Sequence, residues 1–75
     1  MNQPEAVALC QRWTREFPDE HVQVIVDLML PLHDAYGVAR YRTQTSAVPV
    51  MLSYTADGAP SGYYALPRVT GGGDR

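Results

Sequence analysis

Lysine is missing from this chain, and all six basic residues are arginine. Codon usage in a GC-rich bacterial or phage genome explains that bias most simply. Selection of arginine for bidentate recognition of carboxylate or phosphate is the alternative. Cysteine is represented once, by Cys10. That excludes an intramolecular disulfide, and with it the disulfide framework of a small secreted domain. No basic segment followed by an apolar one opens the sequence, so no secretory leader is expected. Long hydrophobic runs are missing too. The longest apolar stretch, 22–32, is broken by Gln23, Asp27 and Pro31, well short of the ~20 residues that span a bilayer. The expectation is a soluble, cytoplasmic protein.

Seventy-five residues leave room for one domain. A chain of that size buries only about 60% of its unfolded surface. One core of that kind supplies roughly 3–5 kcal/mol, and small domains commonly add stability by oligomerising. So little interior disfavours a deep catalytic site, and no enzyme is expected. With 45% apolar and 19% charged residues, the composition is that of a globular chain rather than a disordered one. The net charge of −2 argues against a binder that draws its affinity from phosphate neutralisation. Charge is unevenly spread. Residues 1–36 carry Arg12 and Arg15 against six carboxylates, and 37–75 carry four arginines against Asp57 and Asp74. Docking on a charged partner or head-to-tail association is one account of such a dipolar domain; chance fluctuation among so few charges is the other, of equal weight.

The first element is an amphipathic helix over Pro4–Glu16. Proline and an acid open it, Ala6, Leu9, Cys10, Trp13 and Phe17 form one stripe, and Pro18 stops it. Trp13, in the middle of the stripe, is expected to anchor the core. Residues 19–36 read two ways. At helical spacing Val22, Ile25, Val26, Met29, Leu32, His33 and Tyr36 share a face, with Asp19 as N-cap. At period two Val22, Val24, Val26, Leu28 and Leu30 share one, ending at Pro31, which then opens a short helix over 31–36. The helix, kinked at Pro31 and capped by Gly37, is the favoured reading. Val38–Thr43 alternates weakly and is expected to form a strand. Val48–Tyr54 and Tyr63–Pro67 form a β-hairpin across the turn-rich 56–62 segment. The expected fold is therefore α+β: an N-terminal helix or helix pair packed on a small antiparallel sheet or β-hairpin. It comprises a single domain over 1–70 and a flexible glycine-rich tail over 71–75.

Motifs that carry chemistry are sparse. Cys10, His21 and His33 match no zinc spacing, Cys10 lies on an apolar stripe, and His33 and Asp34 are adjacent rather than in relay. The Gly71–Gly73 run precedes no helix, as a phosphate cradle requires. No catalytic residue, metal or cofactor is expected. The strongest signal is an interleaved set on or beside the strands: Arg40, Tyr41, Arg42, Tyr63 and Arg68. Tyrosine and arginine dominate protein interfaces and also stack on bases and hold phosphates; the plain structural alternative is that the tyrosines cover one face of a thin sheet, rings packed and hydroxyls wet. Arg40 and Tyr63 are expected at the surface, with Tyr64 and Leu66 turned inward. The reading that follows is a small protein-binding accessory or regulatory factor of bacterial, phage or mobile-element origin, acting as a homodimer with helical segments at the interface. The alternative is a winged-helix-like nucleic-acid-binding regulator that uses the Arg40, Arg42 and Arg68 face.

Overall fold

The computed structural model describes residues 1–61. Helix α1 spans Gln3–Glu16, close to the expected bounds, but its start is set by a residue other than Pro4. Asn2 is the N-cap. Its side chain accepts from the Glu5 N–H at 2.9 Å, and the Glu5 carboxylate accepts from the Asn2 N–H at 3.0 Å. This reciprocal box satisfies two of the N–H groups that a helix start leaves open. Ala6, Leu9 and Trp13 are buried, as the stripe requires, and Cys10 and Phe17 pack beside them.

The segment 19–36 is not a helix. It forms strand β1 (His21–Val26), a connection, and one 3-10 turn, Leu32–Asp34, that follows Pro31. Three neighbouring β-branched residues, Val24, Ile25 and Val26, fit a pleated surface better than a helical one. A continuous helix would also lose a bond and meet a clash at Pro31, at about 3 kcal/mol. The favoured reading is thus overturned in favour of the strand followed by a short helical turn. Strand β2 (Tyr36–Tyr41) pairs antiparallel with β1, His21 opposite Tyr41 and Val26 opposite Tyr36. Gly37 lies inside β2 and caps no helix. A Cβ there would sit 2.8 Å from the Ser53 carbonyl oxygen and from the Tyr54 ring.

Strand β3 (Met51–Ser53) pairs antiparallel with the other side of β2, giving the order β1-β2-β3. It falls within the expected 48–54 strand and follows Pro49 and an exposed Val50. Its expected hairpin partner, Tyr63–Pro67, lies outside the described residues, as does the 71–75 tail. The turn after β3 closes at Gly58, whose φ of 80° favours glycine. Gly58 lies under α1, with a built Cβ 3.0 Å from Arg12 and 3.3 Å from Trp13.

One helix on a three-stranded antiparallel sheet is an α+β architecture. Helix α1 covers the face bearing Val22, Val24 and Val38, which pack with Leu9 and Trp13. The other face is buried at Ala39, Tyr41 and Leu52, with Ile25 and Tyr54 against them. Met1 ties the start of the chain to the sheet. Its side chain is buried, and its ammonium donates to the carbonyls of Asp34, Tyr36 and Tyr54 at 3.3, 3.2 and 2.7 Å.

Candidate functional site

Alternation along β2 sends Arg40 and Tyr41 to opposite faces. Arg40 points to the helix side and is mostly enclosed. Its side chain is only 15% exposed, and its Nε donates to Glu20 at 2.8 Å. The guanidinium carbon stands 3.6 Å from the centroid of the Phe17 ring and 5.1 Å from that of Trp13. Expected at the surface, Arg40 instead ties the end of α1 and the start of β1 to the middle of the sheet. Tyr41 is buried on the opposite face, its ring centroid 6.1 Å from that of His21. Arg42, just past the end of β2, is exposed. Tyr63 and Arg68 lie outside the described residues, as do Tyr64 and Leu66. The structure therefore separates Arg40, Tyr41 and Arg42 into a clamp, a core residue and a surface residue.

The connection between β1 and β2 has the opposite character. Leu28, Met29 and Leu32 are 84%, 91% and 76% exposed, and Val26 beside them is also exposed. Apolar side chains at the tip of a hairpin lose the stabilisation of burial unless something covers them. The loop that carries them is tightly bonded. Asp27 donates its N–H to the Ala35 carbonyl at 2.8 Å, and its carboxylate accepts from the Met29 N–H at 3.0 Å. Leu30 N–H donates to the Asp27 carbonyl at 3.1 Å, and Asp34 N–H to the Pro31 carbonyl at 2.8 Å. The tip is therefore a shaped projection. Asp27 and Asp34 flank it, and no arginine stands in 27–36; the α1 start that carries Glu5 adjoins it through the Met1 bonds to Asp34 and Tyr36. His33 and Asp34 approach to 3.4 Å on the 3-10 turn, both well exposed.

Sequence reasoning missed this tip because Met29 and Leu32 fitted the buried face of a helix and Leu28 that of a strand. The available signal was Pro31, together with Leu28, Met29 and Leu30, an unbroken apolar run in which Met29 departs from the strand's alternation.

Among the described residues no group of three or more His, Cys, Asp or Glu side chains converges on a metal-sized site. His21 is bonded to Gln23 at 2.8 Å. No helix among those residues is long and apolar enough to cross a membrane. In the turn after β3 the Thr55 hydroxyl donates to Asp57 at 2.7 Å and the Ala59 N–H donates to it at 3.2 Å. These bonds hold the Asp57 carboxyl below the ordinary aspartate range, the Thr55 hydroxyl contributing most. Compared with known protein families, curated proteins and solved structures, the chain matches none of them significantly.

Proposed function

We propose that this chain is a small protein-binding accessory or regulatory factor, of bacterial, phage or mobile-element origin, that works in the cytoplasm. It binds by seating the 28–32 tip in an apolar groove of its partner. The observation that carries this reading is the exposure of Leu28, Met29 and Leu32 on a loop fixed by its own hydrogen bonds. A preformed projection gives up little conformational entropy on binding, so its apolar contacts convert efficiently into affinity. Arg42 is an exposed polar contact near the far end of β2, and the homodimer expected from the sequence belongs to the same proposal.

Nucleic-acid binding has less support, because Arg40 is committed to Glu20 and to two aromatic rings. A photo-crosslinking residue at Met29 tests the reading in the native host. The expected result is a protein adduct from position 29 and none from Gln11, which is exposed on the outer side of α1. Equal adducts from both positions, or nucleic acid as the trapped species, would reject it.

A further inference from the structure

Strand β1 is the edge of the sheet, and among the described residues no strand pairs with its outer side. The ladder fixes which backbone groups face outward. Asp27 N–H reaches the Ala35 carbonyl at 2.8 Å, continuing the β1–β2 register. Backbone groups alternate along an antiparallel strand, so those of His21, Gln23 and Ile25 also face β2. Those of Val22, Val24 and Val26 then point away from the sheet. Arg40, the register partner of Val22, agrees. Its carbonyl accepts from Val50 N–H at 2.7 Å, on the β3 side. Three successive outward positions thus offer donors and acceptors that no described strand pairs. Proteins usually block such an edge with lysine, proline or a bulge, and β1 contains no lysine or proline.

We infer that β1 pairs antiparallel with β1 of a second copy, about a two-fold axis at Val24, to make one continuous six-stranded sheet. This deepens the homodimer part of the proposal by naming the strand and the register. Val24 faces Val24 of the second copy, and Val22 faces its Val26. Each is a hydrogen-bonded pair, so the seam gains about six backbone bonds, two per pair. The same register puts Gln23 across from Ile25 and His21 across from Asp27, and it aligns no two like charges. Like faces meet, so both helices lie on one side of the sheet.

The helices fit that arrangement. Loop 55–58 approaches α1 at Leu9, Arg12 and Trp13, which marks the flank turned toward β3. That flank carries Glu5, Arg12 and Glu16, with an Arg12–Glu16 ion pair at 3.6 Å. Helical rotation places Gln3, Val7, Cys10 and Thr14 on the opposite flank, toward the free edge of β1. That flank holds no charge, and Val7 on it is 41% exposed. A helix centred over β1 and β2 stands about one strand spacing, ~5 Å, from the dyad. The two helix axes are then about 10 Å apart, the usual distance for packed helices. Because the β1 strands run in opposite directions, the two apolar tips emerge at opposite ends of the dimer.

Sedimentation of the intact chain at micromolar concentration is expected to give twice its 8.3 kDa mass. Amide exchange at Val22 and Val24 should be slow in that dimer, although among the described residues neither N–H has a strand partner in its own chain. Val26→Lys and Val7→Glu change exposed side chains. Each should return the mass to that of one chain, with a melting transition that stays cooperative but no longer depends on protein concentration, and with fast exchange at both amides. Val48→Lys, exposed away from the edge, should remain dimeric. A wild-type chain at monomer mass overturns both the homodimer and the pairing. A wild-type dimer with rapidly exchanging Val22 and Val24 amides, or one that survives both edge variants, overturns the β1 pairing alone.

Discussion

Arg40 fastens the end of α1 and the chain that follows it to the central strand. Its Nε reaches Glu20 at 2.8 Å, and its guanidinium lies over Phe17 and near Trp13. Arginine suits this place because a planar, weakly hydrated cation stacks on rings while bonding a carboxylate at its edge. Arg40→Ala removes the ion pair, the stacking and the packed stem together. The expected loss is about 2 kcal/mol, between the small value of an exposed pair and the larger one of a buried pair. Arg40→Lys should recover only part, since an ammonium cannot reproduce the planar stack. Chemical denaturation checks both, and a loss below about 0.5 kcal/mol, ordinary for a surface change, would show that the clamp contributes little. Asp57 makes a prediction about pH. Its carboxyl is held below the ordinary 3.8 by the Thr55 hydroxyl and the Ala59 N–H. A depressed folded value means the contribution is present above the unfolded value and lost as pH falls below 3.8 through the folded one. NMR titration should find Asp57 protonating below 3.8, and Thr55→Val should move it upward. An unchanged midpoint in Thr55→Val would assign the shift elsewhere.

The elements differ in how far local sequence decides them. Helix α1 is decided locally: its stripe of Ala6, Leu9 and Trp13 repeats at helical spacing, and its bounds carry their own chemistry. Asn2 and Glu5 form the cap, so Asn2→Ala should cost about 1 kcal/mol, read as a lower denaturant midpoint with an unchanged slope. A loss of no more than a few tenths would mean that solvent serves the helix start equally well. The cap is legible in the spacing of Asn2 and Glu5, but Pro4 puts the expected boundary one residue later. Strand β1 is not decided locally. Val22 and Val26 satisfy a period of 3.6 as well as one of 2, and the choice depends on a ladder to β2 formed by residues up to twenty positions away. Gly37 belongs with β1 in this respect, because its place as a helix cap disappears once the segment before it is a strand. Arg40 was legible as a residue of note and illegible as a clamp. Its three partners, Trp13, Phe17 and Glu20, come from the helix and the chain that follows it.

For the whole molecule, the distribution of apolar side chains is the informative quantity. Both faces of the sheet hold buried residues, and the stripe of α1 is used up against one of them. Leu28, Met29 and Leu32 are left outside, at one acidic end. Residues that serve the fold should cost stability when they are made polar. Residues that serve a partner should cost binding and leave stability alone. Leu28→Ser with Met29→Ser separates the two cases, because neither side chain packs in the core and the Met29 backbone bond to Asp27 survives. The doubly substituted chain should unfold within about 0.5 kcal/mol of wild type, as surface changes do, and should lose the adduct formed by a photo-crosslinking residue at Leu32. Trp13→Ala is the contrasting case. That side chain is buried among Leu9, Val38 and Arg40, and its removal should cost ~3–5 kcal/mol, close to all the stability a core this small provides. If the tip substitutions instead lowered the melting transition as Trp13→Ala does, the 28–32 loop would belong to the core. If they left the Leu32 adduct at full yield, the partner would be held by another surface, and exposed Arg42 is the first position to test.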